Sequence, residues 1–437
     1  MTILTRRSLL QGTAVAAGAL SAPALLDWAK AWAQEAPWKP EPGAQLSMLR
    51  WKYFVEAEDE AFMRVLDAFT KATGVKVSVS RESYEDVQPK ASVAANTGAG
   101  PDLFWGLYSL PHLFPQKCID VSDVATYLDK KYGPWAPSAV KYGKSGNNWI
   151  AIPVCYTGSL MNYRISSLQK AGFSKFPTTT DEFLECAKAC KKNGTLGGMA
   201  LGHAPGDGNT WVYWCLWAFG GNIVDEHDKV ILNSPETAKA LEWAKQLYDN
   251  MVPGVASWND AFNNKAFLAG ELHWTNNGIS IYTAARKDPT KTEIADDMNH
   301  AYMPVGPVGK PTELHLMFPM LAMNHTKYPQ ACKALLAFMQ ESAQFDPWIE
   351  AAAGYLSPGL AKYDANPVWT SDPKRTPYRD VAKRSLTVGG LGSVGEKAAE
   401  AVADYVLLDM FASYCTGSSD IKGAIRTAER QLQRIYR

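Results

Sequence analysis

The sequence lacks an excess of either charge. Lysine plus arginine and aspartate plus glutamate each number 44 in a chain of 437 residues. Proteins that bind nucleic acid or an anionic membrane surface usually carry a basic surplus. The balance therefore gives no support to nucleic acid as a partner.

Cysteine is scarce, and its pattern does not predict a disulfide framework. There are seven, an odd number at wide spacings: Cys118, Cys155, Cys186, Cys190, Cys215, Cys332 and Cys415. Cys186 and Cys190 are four residues apart on a predicted helix, but no nearby histidine or second cysteine pair completes a tetrahedral zinc site. We therefore expect buried, reduced thiols. Neither a metal nor a cofactor is predicted.

Common catalytic motifs are missing as well. The chain has no G-x-S-x-G, no phosphate-binding loop and no H-E-x-x-H, and none of its seven histidines are spaced four apart. Residues 390–395 fit G-x-G-x-x-G, but the chain ends at Arg437, too early for the remaining βαβ units of a dinucleotide-binding domain. A loop before C-terminal helices is the better interpretation.

Long apolar runs are also absent beyond the N-terminus. Thr5-Arg6-Arg7-Ser8-Leu9-Leu10 resembles the twin-arginine export motif, and a Gly/Ala-rich run follows as far as Leu26. A membrane anchor needs about 20 predominantly apolar residues, and this run contains polar Gln11 and Thr13. A removed signal is therefore favoured over an anchor or a cytosolic helix.

The predicted cleavage pattern is small-x-small at Ala31-Trp32-Ala33, which would start the mature protein near Gln34. No cysteine stands at that point to take a lipid. These features predict a freely diffusing periplasmic protein.

The length and the first elements predict an α/β fold with two domains. Leu46–Trp51 alternates as a strand, a helix with one apolar face starts near Ala57, and Gly74 ends it before a second strand at 75–79. This β-α-β order favours a parallel sheet. At 149–163 a strand is expected to break at Pro153 and resume as a second strand that crosses to another lobe.

Several short motifs then resemble family 1 extracellular solute-binding proteins, the binding components of ABC importers. The motifs are Trp149 to Tyr163 around Ile152-Pro153-Val154, Gly100-Pro101-Asp102, the Thr179/Glu182 capping box after Pro177, Gly220 to Asp225 with Leu232 to Glu236, Phe267 to Trp274, Met303 to Pro307, and Gly354 to Pro358. The resemblance covers about residues 46–437. It reads Phe267 to Trp274 as a strand, followed by a turn at Asn276-Asn277-Gly278.

The resemblance implies a two-lobe periplasmic-binding-protein fold of type II. Each lobe would be a mixed sheet flanked by helices, with the ligand cleft between the lobes. The implied division is a signal peptide at 1–33, an N-lobe at 34–153 plus 308–345, and a C-lobe at 154–307 plus 346–437. The implied partners are a small solute, a neutral carbohydrate or polyol, and the transmembrane subunits of an ABC permease. The protein is expected to be a monomer and not an enzyme.

A sugar has apolar C–H faces and rows of hydroxyls, so its site needs aromatic platforms beside amides and carboxylates. Loops expected near the cleft are rich in these groups. Asn209 also lies in these loops, and Trp214 and Trp217 are assigned to the core. The candidate ligand residues are Trp51, Tyr53, Glu56, Trp105, Tyr108, Tyr156, Thr157, Trp211, Trp274, Asn276, Asn277 and Tyr355.

Two other functions stay open on the sequence alone. One is an exported carbohydrate-active enzyme, for which Asp102 with Glu56 is the single carboxylate pair that could be nominated. The other is a binding protein for a non-sugar solute such as an amino acid, which an oppositely charged residue pair in the cleft would favour.

Overall fold

In the computed structural model, which describes residues 22–437, eleven strands and eighteen α-helices are present within that range. The strands are β1 (Gln45–Trp51), β2 (Lys76–Glu82), β3 (Leu103–Trp105), β4 (Lys144–Ser145), β5 (Asn148–Trp149), β6 (Ile152–Thr157), β7 (Leu160–Arg164), β8 (Trp274–Asn277), β9 (Met298–Ala301), β10 (Leu316–Ala322) and β11 (Ser357–Pro358). The twin-arginine motif lies outside the described residues.

The helices lie between these strands, singly or in runs, and four of them follow the last strand. They are α1 (Ala22–Glu35), α2 (Glu56–Thr73), α3 (Tyr84–Thr97), α4 (Ser122–Tyr132), α5 (Pro137–Gly143), α6 (Ile165–Lys170), α7 (Thr180–Lys192), α8 (Asp207–Ala218), α9 (Pro235–Tyr248), α10 (Phe262–Leu268), α11 (Ser280–Lys287), α12 (Thr292–Asp297), α13 (Pro329–Met339), α14 (Ser342–Ala352), α15 (Val381–Arg384), α16 (Glu396–Ala403), α17 (Val406–Cys415) and α18 (Ile421–Ile435). None of the described helices combines the length and apolarity needed to cross a bilayer.

The strands form two separate main sheets, which give the fold its two lobes. The first lobe is built on a six-stranded mixed sheet in the order β11-β6-β10-β3-β1-β2, and the second on a three-stranded antiparallel sheet in the order β8-β7-β9. In the first sheet β1 runs parallel to β2 and β3, while β10 runs antiparallel to β3 and β6. The predicted β-α-β start and its parallel pairing are confirmed.

Local sequence signals explain several helix ends. Gly74 follows α2 with φ 81°, in the left-handed region that favours glycine, and its N–H bonds Thr70 O. Thr179 Oγ1 accepts a hydrogen bond from Glu182 N at 3.2 Å and so caps α7. Ser234 caps α9 in the same way, with Pro235 at the first helical position. These predicted caps are confirmed.

The strand break expected at Pro153 was wrong. Pro153 lies inside β6, opposite Pro319 of β10, at a register shift. Because neither proline has a backbone N–H, placing them opposite each other leaves no donor unpaired, and a bulge accommodates them. The chain leaves the first sheet at Gly158 instead. A Cβ on Gly158 would lie 2.6 Å from Val381 Cγ2, so only glycine fits at this crossing.

The segment 262–277 also differs from expectation. Of the strand predicted from Phe267 to Trp274, the first two residues end α10 (Phe262–Leu268) and only Trp274 lies in β8. Asn276 and Asn277 end β8 instead of forming a turn. Both asparagines pair with β7, Asn276 with Met161 and Asn277 with Leu160. The lobe boundaries predicted from the sequence stay a prediction, although 154–157 and 357–358 pair within the first sheet.

Helix α1 packs on the first lobe. The ring of Trp32 lies edge-on to Phe338 of α13, with centroids 5.0 Å apart, and Trp28 contacts the same ring at 5.7 Å. Ala29 and Trp32 are buried. Cleavage after Ala33 would remove these contacts, so the predicted start near Gln34 stays a prediction that mass spectrometry of the exported protein decides.

We expect Trp32→Ala to lower the free energy of unfolding by about 3 kcal/mol, because removing a buried tryptophan leaves a cavity beside Phe338. Denaturant unfolding of a chain that begins at residue 22 measures this. Lys30→Ala, on the exposed face of the same helix, is the control and should change stability little. Equal effects of the two substitutions would contradict the packing of α1.

Candidate functional site

A cleft of about 350 Å³ lies between the two lobes. The first lobe contributes Phe54, which follows β1, and Tyr84, which follows β2. The second lobe contributes the start of α8, Asp260 and the segment from Asn277 to Ser280. The crossing segment 157–159 forms the floor between them. Ligands of open α/β sheets gather at such strand ends.

Aromatic side chains line one side of this cleft. The hydroxyls of Tyr84 and Tyr355 lie 2.8 Å apart, and the ring of Phe54 lies 5.2 Å from that of Tyr84. Both tyrosines are buried, and burial raises the pKa of each phenol well above its usual value. The two hydroxyls therefore stay neutral and can both donate and accept hydrogen bonds.

Two buried carboxylates line the opposite side. Asp260 Oδ1 accepts a hydrogen bond from Asp207 N at 2.6 Å and Oδ2 accepts one from Gly206 N at 3.1 Å, which caps the start of α8. Asp207 Oδ2 accepts one from Asn263 Nδ2 at 2.7 Å. Asp207 Oδ1 accepts none from the described residues. Asp207 and Asp260 are 7% and 6% exposed.

Neither carboxylate forms an ion pair with a lysine, arginine or histidine of residues 22–437. Burial, together with the neighbouring charge of Asp260, raises the pKa of Asp207 well above its usual value. Burial also raises the pKa of Asp260, to about 7, because the N–H groups of Asp207 and Gly206 offset only part of the desolvation. No cation of residues 22–437 balances either group, and the raised pKa values mean that the two carboxyls are partly protonated at neutral pH, so that together they can donate as well as accept hydrogen bonds.

Amides and hydroxyls fill the remaining wall. Asn276 Nδ2 donates to Asp207 O at 2.9 Å and lies within 3.2 Å of Ser159 Oγ and 3.3 Å of Thr210 Oγ1. Ser159 Oγ and Thr210 Oγ1 are 2.8 Å apart. Ser159, Thr210, Asn277 and Ser280 line the cleft. This network holds the start of α8 against the end of β8.

Ser159, His315 and Glu313 form a row that resembles a nucleophile, base and acid. His315 Nδ1 accepts a hydrogen bond from the backbone N–H of Ser159 at 3.1 Å, and its Nε2 lies 3.0 Å from Glu313 Oε2. Arg384 completes an ion pair with Glu313. Because the histidine nitrogen is occupied by the backbone N–H, it does not contact the Ser159 hydroxyl. The row therefore orients the crossing segment and does not activate a nucleophile.

Burial raises the pKa of Glu313, but hydrogen bonds from His315 and Arg384 outweigh burial and hold that pKa below its usual value.

The carboxylate pair nominated from the sequence, Asp102 with Glu56, is not brought together as a catalytic dyad. Asp102 accepts hydrogen bonds from Ser47 and Thr326, and Glu56 forms an ion pair with Lys287. Asp102 thus serves the loop before β3.

Among the candidate residues of the sequence analysis, Thr157, Asn277 and Tyr355 line the cleft and Asn276 lies directly behind it. Tyr108 reaches the cleft edge, where its hydroxyl donates to Gly206 O at 3.3 Å. Tyr53 is 45% exposed outside the cleft. Which of these residues contact the solute stays a prediction.

The remaining aromatic candidates lie in the two cores. Trp51 stacks on Phe318 with centroids 4.0 Å apart, and Trp105 packs edge-on to Trp348 at 5.6 Å. Tyr156 bonds Ser138, Trp211 donates to Ala200 O, and Trp274 packs edge-on to Phe183. All five are almost fully buried. Large rings gain more by filling a core than by lining a hydrated cleft, which explains these positions.

Phe54, Tyr84, Asp207 and Asp260 line the cleft but were not predicted from the sequence. Tyr84 had a usable signal, because it follows β2 at the same sheet edge as the loops after β1 and β3. Asp207 and Asp260 had none, since their closeness depends on how α8 packs on the loop before α10. Among residues 22–437, no three His, Cys, Asp or Glu side chains are grouped as a metal ion would require.

Comparisons with known proteins agree with this architecture. A probable ABC transporter-binding protein of Deinococcus radiodurans is 25% identical over 389 residues, covering 84% of this chain and 89% of the relative. The maltose-bound MalE3 of T. maritima is similar in structure, with a TM-score of 0.77 and 19% identity over 90% of this chain and 100% of that one.

An ABC transporter solute-binding protein from Thermotoga lettingae, bound to α-D-tagatose, also has a TM-score of 0.77, with 18% identity over 90% of this chain and 100% of that one. These two structures establish the fold. The family model of the bacterial extracellular solute-binding proteins matches residues 64–377. Because this match spans well over half of the chain, the protein belongs to the bacterial extracellular solute-binding proteins.

Proposed function

We propose that this protein is the periplasmic binding component of an ABC importer and takes a neutral carbohydrate or polyol into the cleft between its lobes. The observation that carries this proposal is the composition of the cleft. The tyrosines Tyr84 and Tyr355 face the acceptors of Asp207 and Asp260 across a space to which both lobes contribute. The relatives bound to maltose and tagatose support the same solute class.

The hydrogen-bonding groups of the cleft match a ligand that donates many hydrogen bonds. Asp207 Oδ1 is free to accept, and the hydroxyls of Ser159, Ser280 and the two tyrosines can accept or donate. Sugars and alditols present dense hydroxyls that donate and accept hydrogen bonds, whereas an anionic solute would face two acidic groups and, within the described part of the chain, no cation. An amino acid would need a cationic side chain for its carboxylate as well as an anionic one for its ammonium group, and no lysine, arginine or histidine of the described residues lines the cleft. The cleft thus favours a neutral polyhydroxylated solute.

Binding would work by closing the lobes. A solute held by Asp207 in the second lobe and Tyr84 in the first makes its full set of contacts only when the lobes are together, so it shifts the population toward the closed form. Contacts across the lobes already exist in this form, from Tyr108 to Gly206 and from Glu56 to Lys287. The closed form would then dock on the permease as a monomer and release the solute chemically unchanged.

Export by the twin-arginine route, without a lipid anchor, fits this role. That route carries proteins that have folded in the reducing cytosol, and all seven cysteines of residues 22–437 are free thiols, six of them buried. Folded export with intact thiols is therefore part of the proposal.

The direct test is a thermal-shift and calorimetry panel of neutral hexoses, disaccharides, alditols and amino acids. A solute at 100 times its dissociation constant should stabilise the protein by about 2.7 kcal/mol, because it binds only the native state. A bound sugar recovered unaltered by NMR would separate transport from catalysis. Failure of every sugar and alditol at millimolar concentration would contradict the proposal.

Asp207→Asn should weaken binding of that solute by about tenfold, because losing the carboxyl leaves a solute hydroxyl without its partner, at a cost of about 1–3 kcal/mol. The same substitution should raise the stability of the free protein at pH 8, since a buried carboxyl with a raised pKa destabilises the folded state at pH values well above 3.8, whereas an amide does not titrate. Asp404→Asn, at an exposed position, is the matched control. An affinity equal to that of the wild type would show that Asp207 does not contact the solute.

The stability of the free protein should also depend on the charge of Asp260. Its folded pKa of about 7 lies above the usual 3.8. The stabilisation that this difference gives the folded state is therefore fully present below about pH 4 and is lost as pH rises through 7. The loss is about 1.4 kcal/mol for each unit of pKa shift. Relative to the wild type, Asp260→Asn should therefore be more stable at pH 8 than at pH 5. Denaturant unfolding at both pH values, with Asp404→Asn as control, measures the difference, and a pH-independent difference would refute it.

A further inference from the structure

A second cavity, here called the chamber, adjoins the cleft and opens to solvent, with about 580 Å³ of empty space including its mouth. Its walls come from both lobes. The start of α3 and the segment 107–113 belong to the first lobe, while Pro205, Asn209 and the end of α16 approach from the other side. None of the candidate ligand residues except Tyr108 lies there.

The chamber and the cleft are neighbours. Tyr84 lines both of them. The segment 205–209 also borders both, with Gly206 and Asp207 on the cleft and Pro205 and Asn209 on the chamber. The partition between them includes the hydrogen bond from the Tyr108 hydroxyl to Gly206 O. Tyr84 is therefore the residue that the two spaces share.

Two polar groups in the chamber are buried without a partner. Ser109, in the first lobe, is 1% exposed, and Asn209, in the second, is 2% exposed. Neither Ser109 Oγ nor Asn209 Oδ1 makes a hydrogen bond to any described residue. Buried polar atoms nearly always have a partner, because an unpaired one keeps the full cost of desolvation. Both residues line the chamber, so a ligand hydroxyl there could satisfy them.

The backbone of the chamber wall is strained at two tyrosines. Tyr108 has φ 48° and Tyr405 has φ 55°, and they are two of only four non-glycine residues with positive φ among residues 22–437. Bulky residues adopt this region only when the surroundings impose it, and such positions cluster at ligand sites. Tyr405 also stacks on His203, with centroids 4.2 Å apart and planes inclined by 7°. This stacking holds the ring of Tyr405 at the chamber wall.

We propose that the chamber is a second subsite that receives a further sugar ring of the same solute, so that the solute is a disaccharide or a longer oligosaccharide instead of a single hexose or hexitol. This inference rests on the proposed function of the cleft. Three tyrosines and the side chains of Leu107, Leu110 and Leu113 offer surface to the C–H faces of a ring. Ser109 and Asn209 supply partners for its hydroxyls. The two polar residues come from opposite lobes, so a ring in the chamber favours closure as the cleft does.

Calorimetry of the wild-type protein with disaccharides and their component monosaccharides tests the inference, with maltose, cellobiose, laminaribiose, trehalose and sucrose against glucose and fructose. We expect the best disaccharide to bind at least tenfold more tightly than its best component. Two variants then probe the chamber. Ala403→Trp fills it from the partly buried end of α16, and Ser109→Ala removes one unpaired hydroxyl.

Each chamber variant should lower the disaccharide affinity, and Ala403→Trp should bring the affinity ratio of disaccharide to monosaccharide close to one. Glu400→Trp, on the exposed face of the same helix, is the matched control and should leave the ratio unchanged. Ser109→Ala should melt no lower than the wild type, because it removes a polar group that has no partner in the free protein. A purely structural serine would instead lose stability.

A monosaccharide or alditol that binds as tightly as every disaccharide would overturn the second subsite and leave the proposed function standing. An affinity ratio that survives both Ala403→Trp and Ser109→Ala would overturn it as well. Absence of binding by any sugar or alditol would reject the proposed function, and the second subsite with it.

Discussion

The site depends on the fixed position of the first turn of α8. All twelve residues of this helix are buried, so the protein surrounds it and leaves only its N-terminus at the cleft. Asp260 accepts the N–H groups of Gly206 and Asp207 there, as an anion does at a helix start. The arrangement places Asp207 and Asp260 side by side in a buried space without a cation. A carboxylate pair of this kind is costly, and a hydrogen-bonding ligand relieves part of the cost.

The two lobes supply complementary chemistry to the space between them. The second lobe contributes carboxyl and amide groups. Asn276 of β8 joins them, because its side chain bonds Ser159 before β7 and Asp207 and Thr210 of α8. The first lobe brings Phe54 and Tyr84 from the carboxyl ends of β1 and β2. The crossing segment is held by His315 and Glu313 where the lobes join. Phe54, Tyr84, Asp207 and Asp260 thus meet at the boundary between the lobes.

Much of the fold could be predicted from residue patterns. Caps at Thr179 and Ser234, the glycine after α2 and the alternation of β1 are local signals, and local hydrogen bonding is enough to explain them. The failures, in contrast, came from contacts between residues far apart in sequence. Pro153 was expected to end a strand, but its partner across the ladder is Pro319, which lies far away in sequence. Register between distant strands cannot be seen in a short window.

Motif spacing and strand ends survive in the linear order, and they were enough to predict the solute-binding family, the two-lobe α/β class and three of the cleft residues. Which aromatic residues line the cleft became visible only in the folded chain. Trp51 and Trp105 fill a core, while Tyr84 and Tyr355 line the cleft. The reason is that β3 is buried on both faces and α8 on every side. Burial along these elements therefore has no period, and a sequence pattern cannot distinguish a core ring from a ring that lines the cleft. The pairing of Asp207 with Asp260 likewise exists only once α8 is packed.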